Sequence, residues 1–138
     1  MIDLTSDFGK RAARRLREEE IIWLTTTDRH GSPQPRPVWF LWDGKTILIF
    51  SQPQAYKVSH IEHHARVALN LDSADLGEDV VVILGDATLS ISPVSEDEMT
   101  QYLEKYKQGL DRINFTVEEF KSSYNLAIRI TPIVLRGN

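Results

Sequence analysis

The stretch RPVWFLWDGKTILIFSQPQAYKVSHIEHHARVALNL, residues Arg36 to Leu71, decides how this 138-residue chain folds. Its two apolar runs, VWFLW and TILIF, are rich in aromatic and β-branched side chains and flank the turn former Asp43-Gly44, so they read as two strands of a hairpin. The second strand closes at Ser51; a short helix is predicted around Tyr56 to His63, and RVALNL (Arg66 to Leu71) reads as a further strand. With Pro53 in the first turn of the helix, where a missing N–H costs nothing, the free amides of residues 53 to 56 point back toward Ser51. Helix N-termini favour anions. Lys57 adds a full charge one turn in, Ser51 a hydroxyl donor, and Arg36 on a neighbouring strand a guanidinium fork, which together describe a phosphate site. A Ser-Pro turn followed by a solvated lysine is also an ordinary helix start, so both readings stay open at this point.

Outward from this stretch the pattern stays mostly β. IIWLTTT (Ile21 to Thr27) joins Gln34 to Trp42 and Thr46 to Phe50 through the turn formers DRHGSP and DG, which predicts a three-stranded meander. Ahead of it, TSDFGKRAARRLREEE reads as a helix opened near Thr5 or Ser6, with Phe8, Ala12 and Leu16 at a helical interval. Beyond a polar loop through Gly77, a strand runs from Asp79 to Ser92, its unbroken apolar run giving way at Gly85 to alternation, as at a bulge. SEDE (Ser95 to Glu98) and TVEE (Thr116 to Glu119) read as capping boxes, predicting two helices before a last strand from Asn125 to Leu135. The expected fold is mainly β with peripheral helices, a six-stranded antiparallel barrel in one domain spanning residues 1–138. Because VWFLW and VVVIL are apolar on both faces and helices are few, a second copy of the chain is expected to cover them, giving a homodimer.

Composition narrows the function. A net charge of −4 and a pI near 5.5 argue against a general nucleic-acid or membrane-surface binder, which needs a dominant basic face. The absence of cysteine excludes disulfides, thiolate metal sites and cysteine nucleophiles. No stretch approaches the roughly 20 apolar residues that span a bilayer, so a cytoplasmic location is expected. HIEHH sets His60 and His64 one turn apart beside His63, but the glutamate is misplaced for HExxH and His30 is the one further histidine, so a solvated helix face is favoured over a metal site. No GxSxG elbow is present to support a hydrolase.

The Arg36 to Leu71 stretch resembles the core of the FMN-binding split-barrel family related to pyridoxamine 5′-phosphate oxidase. In that family an arginine-led strand, a Ser or Thr closing the next strand and a lysine six residues on hold the phosphate and ribityl chain. Nearly the whole chain is similar to one branch, the small deazaflavin (coenzyme F420) dependent oxidoreductases, including RRLREEEIIWLTTTDRHGSPQPRPVWFLWDG and the ending AIRITPIVLRG. The resemblance implies a split barrel, phosphate held by Arg36, Ser51 and Lys57, a ring running beside Pro37, Val38 and Trp39, and a ribityl path lined by Phe50, Gln54, Ala55 and Tyr56. It implies coenzyme F420, or alternatively FMN, at a homodimer interface, with hydride transfer to or from a small-molecule substrate. A non-catalytic FMN or haem binding module on the same barrel is the alternative.

Two departures argue against vitamin B6 oxidation itself. Tyr56 stands where the oxidases of the family carry an arginine, and the Trp and Arg-x-His that grip their substrate beyond the last strand have no counterpart before Asn138. For the deazaflavin, whose oligoglutamate tail is a polyanion, the sequence offers Lys10, Arg11, Arg14, Arg15 and Arg17 in the first helix, ahead of Glu18, Glu19 and Glu20. That order opposes the helix dipole and therefore invites a functional explanation.

Overall fold

A computed structural model of the chain describes residues 2–73, 76–91 and 94–138. The expected loop through Gly77 includes residues 74 and 75, and the expected strand from Asp79 ends at Ser92; these three residues lie outside the described ones. The elements run α1 (Asp7–Glu18), β1 (Ile22–Thr27), β2 (Pro33–Val38), β3 (Leu41–Trp42), β4 (Ile47–Ser51), α2 (Tyr56–His63), β5 (Arg66–Asn70), β6 (Val81–Ser90), α3 (Glu96–Lys105), α4 (Lys107–Arg112), α5 (Val117–Ser123) and β7 (Leu126–Gly137). None of the described helices is long and apolar enough to cross a membrane.

The seven strands form one antiparallel sheet in the order β2-β1-β5-β6-β7-β4-β3. Its two edges, β2 and β3, are separated in sequence only by Trp39 and Phe40. Three Cα–Cα steps reach at most about 11 Å, so the sheet has to curl until its edges nearly meet. The result is a split barrel, closed by the covalent chain at a seam that has no hydrogen-bonded ladder.

This corrects the expected meander: Gln34 to Trp42 is two strands, one pairing with β1 and the other with β4. The reason lies in Pro33, Pro35 and Pro37. Alternate residues of a strand turn their backbone groups to the same side, and these three have no N–H to donate, so that side of β2 is suited only to an open edge. The strand count rises from six to seven. Helices occupy nearly as much of the chain as strands, so the fold is a mixed α/β split barrel rather than a mainly β one.

Local chemistry explains most boundaries. Ser6 caps α1 by accepting from the Gly9 amide. Thr116 and Glu119 complete a capping box on α5, whereas Ser95 caps α3 without the reciprocal half, because Glu98 turns to Arg129 at 3.0 Å. The register of β6 on β7 shifts between Leu84 and Gly85, the expected bulge, and a Cβ at residue 85 would lie 2.6 Å from the Thr131 carbonyl oxygen. Three helices, not two, fill the segment before β7, with a break at Tyr106.

Two hydrophobic cores share strand β4. Ile47 and Ile49 face the barrel interior with Leu24, Leu69, Ile83 and Ile128. Leu48 and Phe50 face outward into a second core with Leu41, Tyr102, Tyr106, Leu110 and Phe120. The helices α3 to α5 therefore cover the outward side chains of TILIF and of VWFLW; for VWFLW that cover was expected from a second subunit.

Tyr106 fastens the seam. Its phenol accepts the Phe40 amide at 2.7 Å and donates toward the carbonyls of Glu20 (2.7 Å) and Phe40 (2.9 Å), while its ring stacks on Trp39 with centroids 4.4 Å apart. Burial holds that phenol protonated far above the usual tyrosine range. Lys105 adds an ammonium donor to the Phe40 carbonyl at 2.7 Å, and its own burial pushes it down to about 8. Replacing Tyr106 with Phe keeps the stacking but leaves the buried Phe40 amide without its acceptor. Urea unfolding is expected to show a loss of about 1–3 kcal/mol.

Candidate functional site

Strand alternation and the seam together assemble a cleft. Phe50 points outward from β4, Trp39 leaves β2 at the seam, and α3 to α5 bring Tyr102, Phe120 and Tyr124 opposite them around a cavity of about 320 Å³. Phe50 meets Tyr102 and Phe120 edge-on, with centroids 4.7 and 6.0 Å away, and Phe120 stacks on Tyr124 at 5.3 Å. Trp39 lies flat because residue 109 is glycine; a Cβ there would sit 3.2 Å from the indole. Pro37, Val38 and Ile21 complete the wall, and Lys57 is its one charged residue.

At Pro37 and Lys57 this aromatic cavity meets a second one, of about 540 Å³, lined also by Gln34, Arg36, Ala55, Tyr56 and His60. This groove is cationic. Burial lowers the pKa of Lys57 below its ordinary value of 10.5, and the neighbouring Arg36 charge lowers it further. No carboxylate among the described residues pairs with either side chain. The site is thus electrostatically suited to an anion, which would relieve both the desolvation of Lys57 and its repulsion from Arg36.

Most of the expected site residues come together here: Arg36, Pro37, Val38, Trp39, Phe50, Ala55, Tyr56 and Lys57 line one cavity or both. Ser51 and Gln54 line neither. Alternation along β4 turns Ser51 inward, where it is fully buried and donates to the Gln52 carbonyl at 2.9 Å. Pro53 sits in a turn ahead of α2 rather than inside its first turn, and the Ala55 amide is committed to the Gln52 carbonyl. Tyr56 is 85% exposed at the groove rim.

The arginines of α1 line neither cavity. Arg15 is buried and donates to the carbonyls of Asp72 and Asp79 and to Glu19, Arg11 pairs with Asp79 at 2.9 Å, and Arg14 pairs with Glu18 at 3.5 Å. With α1 ending at Glu18, Asp7 stands in its first turn and Arg15 and Arg17 in its last, so the order accords with the helix dipole instead of opposing it, and Arg11 and Arg15 pin the loop at Asp79. Among the described residues no group of three His, Cys, Asp or Glu side chains is placed to hold a metal; His60 Nδ1 meets Thr26 Oγ1 at 2.8 Å and His63 Nδ1 meets the Ser59 carbonyl at 2.9 Å. Sequence reasoning missed Tyr102, Phe115, Phe120 and Tyr124. The helical intervals of Tyr102, Tyr106 and Leu110 mark an apolar stripe, but nothing local says what that stripe faces.

Seven antiparallel strands curled into a split barrel with peripheral helices are the fold of the FMN-binding split-barrel type. Residues 8–125 match the family model described as pyridoxamine 5′-phosphate oxidase, and the chain belongs to that family. Among solved structures it is similar to a candidate pyridoxamine 5′-phosphate oxidase from Listeria innocua, with 21% identity, a TM-score of 0.69, and 92% of this chain and 94% of that one covered. It is similar to an F420 reductase at 20% identity and TM-score 0.64, covering 89% and 94% of the two chains. The haem storage protein HutZ from Vibrio cholerae shares 14% identity at TM-score 0.66, over 93% and 90%. At these identities the likeness shows the fold. A comparison with curated proteins finds no match.

The lowered pKa of Lys57 makes its charge unfavourable to folding in the ligand-free protein. The unfolded chain holds that proton more tightly, so the penalty is full below the lowered folded-state pKa and fades as pH rises from there toward 10.5. Thermal unfolding of ligand-free Lys57→Met at pH 7 is expected to match or exceed the parent. Between the lowered pKa and 10.5 the parent is expected to gain stability with pH more steeply than the variant.

Proposed function

We propose that this chain is a flavin-type oxidoreductase that binds coenzyme F420, with FMN as the alternative, and exchanges a hydride with a small organic substrate. The observation that carries this reading is the junction at Lys57 and Pro37, where an apolar aromatic cavity and a cationic groove share a wall. A ligand with a flat ring at one end and a phosphate at the other matches both halves. The deazaflavin is preferred because both ends of the sequence resemble that branch of the family, and the likeness to an F420 reductase is compatible with it.

When bound, such a cofactor supplies the two-electron chemistry; the protein has to bind, orient and keep water away. Lys57 and Arg36 would hold the phosphate by charge-assisted hydrogen bonds. The β2 segment Pro37 to Trp39 would run beside the ring, with Trp39 kept in place by its stack on Tyr106. Phe50, Tyr102, Phe120 and Tyr124 would exclude water from the ring end. Hydride transfer asks for no acid–base dyad. Vitamin B6 oxidation is not proposed, since Tyr56 replaces the second phosphate-site cation and points to solvent.

The protein is further proposed to act as a cytoplasmic homodimer. The registers place Trp23, Ala68, Val82, Leu84 and Val134 on one half-exposed apolar sheet face. Trp23 lies opposite Pro37, which lines the cleft, so a second copy on this face would border the site.

Absorbance and mass spectra of the purified protein test the cofactor, with coenzyme F420 expected and FMN second. Lys57→Ala is expected to weaken cofactor binding at least about tenfold by calorimetry; unchanged affinity overturns the phosphate assignment. A cofactor that binds but is never reduced or reoxidised by any substrate favours the binding-module alternative. For the dimer, light scattering is expected to show two subunits in the parent and one in Trp23→Glu.

A further inference from the structure

The cationic groove does not end at the phosphate position. His60, on its far wall, also lines a third cavity of about 380 Å³ bounded by Asp28, Arg29, His30, Ser59 and His63. Lys57, His60 and His63 succeed one another at three-residue intervals on α2, and the β1–β2 turn carrying Arg29 and His30 lies across from that face. Six residues of helix rise roughly 9 Å, the length of about three residues of extended chain. A ligand leaving the phosphate position along this face would meet in turn an ammonium, an imidazole, and then a guanidinium with two more imidazoles.

We infer that this third cavity holds the carboxylate-bearing tail of the cofactor, beyond its phosphate. The inference rests on the deazaflavin reading above and relocates the tail, because Arg11, Arg14 and Arg15 of α1 are committed to Asp72, Asp79, Glu18 and Glu19 and none of the α1 arginines lines the groove. The one carboxylate on the cavity wall competes little. Asp28 Oδ1 accepts the His30 and Ser32 amides, each at 2.9 Å, and Oδ2 accepts Gln34 Nε2 at 3.1 Å, so its charge is already met by three donors from its own turn and the start of β2. Arg29 has no carboxylate within ion-pair distance among the described residues; its Nε donates to His30 Nε2 at 3.3 Å, and the terminal nitrogens of its fork remain for a ligand. His60 and His63, both on the wall of the third cavity, engage Thr26 and Ser59 through Nδ1, so neither hydrogen bond uses Nε2.

The test is a set of affinities measured by calorimetry or fluorescence titration at low and high salt. The ligands are coenzyme F420 with its oligoglutamate tail, the same deazaflavin truncated at the phosphate, and FMN. The proteins are the parent and the double variant Arg29→Glu with His63→Glu. Both residues are exposed, and retained affinity for the truncated ligand reports an intact phosphate site. The expected result is that the parent binds the tailed ligand more tightly than the truncated one. The double variant should lose about tenfold for the tailed ligand alone, an effect that shrinks at high salt. Equal affinity of the parent for tailed and truncated ligands, or equal losses for both in the variant, overturns the tail assignment and leaves the deazaflavin reading standing. Binding of FMN with no binding of either deazaflavin overturns both.

Discussion

Everything in this structure depends on the two-residue seam at Trp39 and Phe40. A seven-stranded sheet with its first and last strands joined so closely has to curl, and the seam offers no strand pairing to hold it. The polar groups of Phe40 are instead met by side chains: Tyr106 takes its amide, and Tyr106 and Lys105 share its carbonyl. The same tyrosine ring stacks on Trp39, a wall of the cleft. Closing the barrel and shaping the site are therefore one interaction. Its donors and acceptors come from a helical segment inserted more than 60 residues further along the chain.

That insert has a second consequence. By packing on the outward face of β4 it creates a core outside the barrel, and the unfilled part of this core is the aromatic cavity. The barrel itself supplies the cationic groove from β2 and α2, which lie close together in sequence. The insert supplies the apolar end. Relatives of similar fold carry names as different as an F420 reductase and a haem storage protein, which accords with fold and chemistry being separable.

Charge is arranged on the same division. The chain is acidic overall, yet the groove gathers Arg36 and Lys57 without a compensating carboxylate, and the turn above α2 adds Arg29. The far denser cationic run in α1 does structural work, binding Arg11 and Arg15 to the loop at Asp79. Local density of like charge was a poor guide to ligand binding here, because the count says nothing about which charges already have partners.

Much of the architecture was legible along the chain. Hydrophobic period, Gly85 and the two Ser/Thr caps mark the main strands and helix starts, because each reflects contacts within a few residues. The motif from Arg36 to Lys57 identified most of the groove, since α2 and the end of β2 are positioned by short connections. What the sequence left undetermined was long-range. Three alternating prolines were visible, but that they make β2 an edge depends on where the other strands fall. VWFLW was visibly apolar on both faces, yet whether helices or a second subunit cover it is a matter of packing. Ser51 looked like a ligand by its place at a strand end, and alternation along β4 turned it inward. The sequence determined where most strands and helices form and which charges lie near one another locally. Only the tertiary structure decided which faces remain open, because that depends on contacts between residues dozens of positions apart, which no local pattern encodes.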